Sequence, residues 1–151
     1  MGKYKTDEEI LEFAIFREME AHNFFLALAD RVKDPQMRQF FEDLAAEELE
    51  HKAKLELEII KTGKTVSIEE QPPRPASEYI ISDDPSQLDI DYKDALLRGM
   101  EKEEASFRTY VNLIPGVQNE QSREVLLALA QEEVRHKLRF ETEYNMLLKK
   151  T

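Results

Sequence analysis

Cysteine is missing altogether. That absence excludes disulfides, zinc–thiolate sites and iron–sulfur centres, so any metal here must be held by oxygen and imidazole. Glycine is scarce and proline scattered, 4 and 6 in 151 residues, which leaves long stretches with nothing to break a helix. Positive charge is in deficit. Against 32 Asp and Glu stand only 21 Lys and Arg, and the net charge of −11 has the wrong sign for nucleic acid or an anionic membrane. No apolar run approaches the ~20 residues of a membrane span, and the N-terminus carries no apolar signal segment. The expectation is a cytoplasmic protein with neither a nucleic-acid nor a membrane partner.

What is present suits long amphipathic helices: 35% of residues are charged and 41% hydrophobic. A single domain over residues 1–151 is expected, with helices at about 7–32, 35–62, 90–114 and 119–148. Thr6 and Glu9 form a capping box for the first helix, and Asp34-Pro35 both closes it and opens the second. Gly63 ends the second helix, and Pro115-Gly116 separates the third from the fourth. Between them, residues 63–89 carry Pro72, Pro73, Pro75 and Pro85, and no helix survives that density. So long a connection makes sense as a crossover joining two parallel helices. The fold class is therefore all-α, an antiparallel four-helix bundle with one long crossover between helices 2 and 3.

Two stretches organise the chemistry. Glu48-Leu49-Glu50-His51 and Glu133-Val134-Arg135-His136 each place a carboxylate and an imidazole three residues apart, on one face of a helix. Apolar residues share that face. The first seam runs Met37, Phe41, Leu44, Glu48, His51, Leu55, Ile59; the second runs Leu126, Leu129, Glu133, His136, Phe140, Leu147. On helix 1 the inward stripe contains Glu18 as its one charged residue. Helix 3 is read inward at Leu97, Glu101, Glu104, Phe107 and Val111. Glu18 and Glu48 are equidistant from the first turn, Glu101 and Glu133 nearly so from the second, and the Glu-x-x-His pair recurs 85 residues on. The pattern reads as a duplicated helical hairpin. Glu20, Glu50, Glu103 and Glu132 leave the seams and are assigned to solvent, as is His22.

Burying carboxylates costs several kcal/mol unless a cation accompanies them. Glu18, Glu48, His51, Glu101, Glu104, Glu133 and His136 together suit two divalent metals with bridging carboxylates. Oxygen-rich ligands with a few imidazoles favour iron or manganese over zinc or copper. Glu48 and Glu133 are expected to bridge, Glu18 and Glu101 to bind terminally, and one histidine to serve each ion.

On these residues the sequence resembles the rubrerythrins, in their ferritin-like di-iron domain, over nearly its whole length. Glu18 stands in a Glu-x-x-Ala-x-Asn stretch (residues 18–23), Glu48 and His51 in one Glu-x-x-His, Glu101 and Glu104 in a Glu-x-x-Glu, and Glu133 and His136 in the other Glu-x-x-His. The resemblance implies a di-iron centre, with manganese or a mixed pair as variants. It further implies that Glu104 exchanges with His51 when one iron changes oxidation state, which makes these two the catalytic pair. The implied activity is reduction of hydrogen peroxide to water. The C-terminal rubredoxin module usual in the family is not seen, so electrons are expected from a separate donor such as a rubredoxin. A homodimer is expected too, through Leu57, Ile60 and Tyr144, with helix exchange through the crossover as one form of it. Beside the missing module there is a second departure from the family: the tyrosines near the iron site are replaced by Phe25 and Thr109, with Tyr110 one position off. The alternatives are a ferroxidase that oxidises Fe(II) with oxygen, and a non-catalytic metal-binding protein.

Overall fold

The computed structural model describes residues 6–63 and 91–149. The crossover expected at 63–89 falls, beyond Gly63, outside the described residues. Four helices make up the rest: α1 (Asp7–Arg31), α2 (Pro35–Lys61), α3 (Tyr92–Leu113) and α4 (Glu120–Lys149), with a 3-10 turn at Ile114–Gly116. Each boundary has a local cause. The Thr6 hydroxyl accepts the Glu9 amide at 3.1 Å, and Asp34 accepts the amides of Gln36 and Met37 at 2.8 and 3.3 Å. After α2, Gly63 adopts φ 82, a left-handed conformation that a side chain would strain. Asn119 caps α4 by accepting the Ser122 amide at 2.9 Å.

Contacts at the bundle ends give the directions. Asp7, opening α1, accepts the amides of Gln118 and Asn119 just before α4, so α1 and α4 start at the same end. Glu58, near the end of α2, takes the Ser122 hydroxyl at 3.3 Å, so α2 ends where α4 begins. Tyr92, opening α3, meets Phe41 near the start of α2 and Glu143 near the end of α4. Hence α2 and α3 run parallel, and the fold is the expected four-helix bundle. α1 packs on α2 and α3 on α4, with α1·α3 and α2·α4 as the lesser interfaces.

The apolar core has two lobes. One gathers Phe24, Phe25, Leu28, Phe41, Leu96 and Phe140; the other gathers Leu11, Ile15, Leu55, Ile59, Leu126 and Leu129. Along each helix the buried residues between these lobes are polar, Gly99 apart. No described helix is long and apolar enough to cross a membrane.

Candidate metal centre

The middle of the bundle holds Glu18 from α1, Glu48 and His51 from α2, Glu103 from α3, and Glu133 and His136 from α4, none more than 2% exposed. Ligand-type atoms of Glu18, Glu48, His51 and Glu133 all lie within 4.8 Å of one another, and so do those of Glu48, Glu103, Glu133 and His136. The two groups share Glu48 and Glu133. His51 Nδ1 stands 3.3 Å from Glu18 Oε2, 3.7 Å from Glu48 and 3.2 Å from Glu133. His136 Nδ1 repeats the arrangement at 3.4 Å from Glu103 Oε2, 3.3 Å from Glu48 and 3.8 Å from Glu133.

Electrostatics make this cluster costly without a cation. Burial, then the neighbouring carboxylates, push the pKa values of Glu48 and Glu103 well above the usual range, and Glu133 likewise. Burial alone would lower the pKa of His51, but Glu133 and Glu18 overcome it and push it up to about 12. His136 is raised against the same burial effect, chiefly by Glu48. Both oxygens of Glu48, Glu103 and Glu133, and both ring nitrogens of each histidine, lack a hydrogen-bond partner. Native interiors rarely leave so many polar atoms unsatisfied in one place. Two cations would satisfy them together, and the donor set of four carboxylates and two imidazoles fits a dinuclear iron centre, with manganese equally suited.

Helix α3 departs from expectation. Glu101 is exposed, and Glu104 lies outside the cluster, with 44% of its side chain exposed and ion pairs to Arg108 and Lys137 at 3.0 and 3.8 Å. Glu103, assigned to solvent in the sequence, takes the ligand place instead. The buried face of α3 runs Tyr92, Ala95, Leu96, Gly99, Lys102, Glu103, Ser106 and Tyr110, while Leu97 and Val111 are 38% and 45% exposed. Gly99 gives no apolar signal, yet it is buried because Phe140 fills the space its side chain would need. Leu96 and Leu97 lie about 100° apart around the helix, so a seam drawn through Leu97 faces away from the core that Leu96 enters. The inward residue one turn past Glu103 is Ser106, so the expected exchange between Glu104 and His51 is not supported.

The internal repeat held the correct answer. The offset of 85 that relates Glu48 to Glu133 and His51 to His136 also relates Glu18 to Glu103, and both Glu18–Glu48 and Glu103–Glu133 are 30 apart. The same offset carries Phe25 onto Tyr110. Tyr110 is buried, and its hydroxyl donates a hydrogen bond to Glu18 Oε1, so a tyrosine does stand at the site. Burial, then Glu18, raise its pKa well above the ordinary phenol value, which keeps the proton on.

Other residues assigned to solvent also turn inward. Glu20 is buried and pairs with Arg17 at 3.1 Å. Glu132 lies 3.6 Å from His51 Nε2, and its repeat partner Glu47 lies 3.5 Å from His136 Nε2. His22 is half-buried with Nδ1 2.8 Å from the Ala45 carbonyl, a tie between α1 and α2. Glu50 is exposed, as expected.

The rubrerythrin family model matches residues 9–144. The chain belongs to the rubrerythrin family. Its solved structural neighbours are ferritin-like proteins. An iron-soaked variant of the ferritin PmFTN superposes with a TM-score of 0.74 at 14% identity, over 94% of this chain and 88% of that one. A two-domain protein from Anabaena variabilis, with DJ-1/ThiJ/PfpI-like and ferritin-like domains, gives 0.72 at 12% identity. The rubrerythrin-family chain covers 95% of its own length there but only 37% of that protein. The manganese catalase KatB from Anabaena gives 0.70 at 15% identity, over 97% and 75%. At these identities the likeness is one of fold. Among curated proteins none matches the chain.

Proposed function

We propose that this rubrerythrin-family protein is a di-iron oxidoreductase that reduces hydrogen peroxide to water with electrons from a separate donor protein. The observation that carries the reading is the pair of overlapping buried ligand groups that share Glu48 and Glu133. Such an arrangement suits two ions held side by side, and a third group, Glu48 with His51 and His136, overlaps both. An iron pair bound there would supply two electrons together to peroxide, which with two protons gives water without release of a hydroxyl radical.

The chain's own residues do the rest. Glu48 and Glu133, fully buried and common to both groups, would serve both ions. Glu18 and His51 would hold one ion, Glu103 and His136 the other. Tyr110 orients Glu18 through its hydrogen bond. The two apolar lobes close the site along the bundle axis and keep bulk water from the reacting centre.

A ferroxidase is the second reading, and one observation favours it. With Glu104 outside and Ser106 at the next inward place, the cluster holds six ligands and no spare carboxylate for a change of oxidation state. Both readings are tested by loading the apoprotein with Fe(II) under argon and following oxidation by stopped flow. Much faster oxidation by peroxide than by oxygen supports the peroxidase. Equal or faster oxidation by oxygen supports the ferroxidase, and bound iron that never cycles would reduce the site to metal binding alone.

The donor is proposed to be a rubredoxin-type protein, and the working unit a homodimer. Leu57 and Ile60 are 51% and 56% exposed on one side of α2, apolar surface that a second copy would cover. Sedimentation at micromolar concentration, with a monomer as the adverse result, tests the dimer.

A further inference from the structure

The repeat that builds the centre is broken at one atom. Glu18 and Glu103 are equivalent under the 85-residue offset, and each turns its Oε2 towards a histidine Nδ1, at 3.3 and 3.4 Å. Their Oε1 atoms differ. Tyr110 donates to Glu18 Oε1, whereas Glu103 Oε1 has no hydrogen-bond partner. The residue equivalent to Tyr110 in the other half is Phe25, which has no hydroxyl to give. Phe25 is fully buried and stacks on Phe140 with ring centroids 5.9 Å apart. Phe140 in turn packs against Gly99, one turn before Glu103 on α3. The side of the centre near Glu103 is thus floored by apolar rings, and the side near Glu18 by a phenol.

We propose that the Tyr110/Phe25 difference makes the two metal positions inequivalent. Resting on the dinuclear reading above, it assigns the tighter, coordinatively fixed ion to Glu18 and His51, and the looser ion to Glu103 and His136. The hydrogen bond holds Glu18 in one orientation, with Oε2 turned to the centre and already in place. Preorganisation of that kind improves binding by removing the ordering cost. Glu103 has its Oε2 beside His136 like its counterpart, but no phenol fixes its Oε1. It can bind through one oxygen or two, and the ion it serves is the one whose ligand geometry changes. Tyr110 acts here as a positioning residue, through Glu18.

Co(II) alone, followed by its visible d–d absorption, reads the difference without any turnover. The wild-type protein is expected to take up two Co(II) in two resolved steps with distinct spectra. His51→Ala removes the tighter step and His136→Ala the weaker. Tyr110→Phe weakens the tighter step by ~10-fold or more, the usual loss for an outer-shell partner, and closes the gap from above. Phe25→Tyr strengthens the weaker step and closes it from below, and it decides the matter should Tyr110→Phe not fold by circular dichroism. Unresolved steps in the wild type, or a gap that either folded variant leaves unchanged, overturn the inequivalence. Fewer than two Co(II) bound to the wild type would instead overturn the dinuclear reading itself.

Discussion

The imidazole rings of His51 and His136 lie stacked across the centre, 7° from parallel, with centroids 5.5 Å apart. Each comes from a different hairpin, one on α2 and the other on α4, and each sends Nδ1 among the carboxylates. Parallel rings from antiparallel helices are what an internal two-fold relation produces. Each imidazole has a carboxylate of its own, Glu18 beside His51 and Glu103 beside His136, and that doubled arrangement suits two ions.

Glu103 decides whether the centre is assembled as the structure has it. Glu103→Gln keeps the shape but removes a ligand charge, so one of the two ions should bind at least ~10–100-fold more weakly. The metal-free protein should change in the opposite sense. Removing a buried carboxylate that has no cation relieves desolvation and repulsion, so the apo variant should unfold at higher denaturant than apo wild type. Glu101→Gln and Glu104→Gln should leave both quantities unchanged. Metal titration with denaturant melts separates the cases, and a loss of affinity in Glu101→Gln would return that residue to the ligand set.

Most of the bundle was legible because its signals are local. The capping box at Thr6, the Asp34-Pro35 junction and the three-and-four spacing on α1, α2 and α4 need only the sequence. Three of the four faces therefore came out in register, with Glu18, Glu48, His51, Glu133 and His136 buried together. On α3 the deciding residues are Ala95 and Gly99, whose burial depends on what packs against them. A glycine looks the same in sequence whether it faces Phe140 or water. Leu96 and Leu97 then compete for the seam, and pattern alone cannot choose between them. The offset of 85 could have, because it fixes Glu103 without reference to hydrophobicity.

pH should act on the apoprotein with a definite sign. Glu48, Glu103 and Glu133 have folded pKa values above the ordinary 4.5, and His51 rises from 6.5 to about 12. In each case the folded state holds its proton more tightly than the unfolded chain. The stability linked to these groups is present below the unfolded values and is lost as pH rises through the folded ones. Apoprotein Tm is therefore expected to fall from pH 5 to pH 8. Metal must displace the same protons, so loading should acidify a weakly buffered solution and tighten as pH rises. An apoprotein that gains stability over that range, with no proton release on loading, would contradict the charge state described here.

Gly99 should be intolerant of a side chain. A Cβ there would overlap Phe140 Cε1, and the ring is locked among Phe25, Phe40 and Phe41. Overpacking of this kind costs roughly 1–3 kcal/mol. Gly99→Ala should lower stability by about that much in a denaturant melt despite the better helix propensity of alanine. A neutral or stabilising result would mean that α3 and α4 can move apart at no cost.

Glu132 and Glu47 offer a test in which the affected ion lies across the bundle from the altered residue. Glu47 precedes Glu48 and Glu132 precedes Glu133, yet each faces the outer nitrogen of the histidine on the other helix: Glu132 lies 3.6 Å from His51 Nε2, and Glu47 lies 3.5 Å from His136 Nε2. Both keep 31% of the side chain exposed and are held by arginines, Glu132 by Arg135 at 3.2 Å and Glu47 by Arg139 at 2.5 Å. A carboxylate beside the outer nitrogen favours the proton there, which leaves Nδ1 as the lone-pair donor and raises its basicity. Glu132→Gln, a change on α4, should therefore loosen the ion bound by His51 on α2, by ~10-fold or more. Glu47→Gln should loosen the ion bound by His136. Local damage to a helix would act the other way, each variant weakening the ion held by its own helix's histidine. Co(II) titration of the two variants, read against His51→Ala and His136→Ala, distinguishes the patterns, and equal weakening of both ions in either variant would refute the crosswise support.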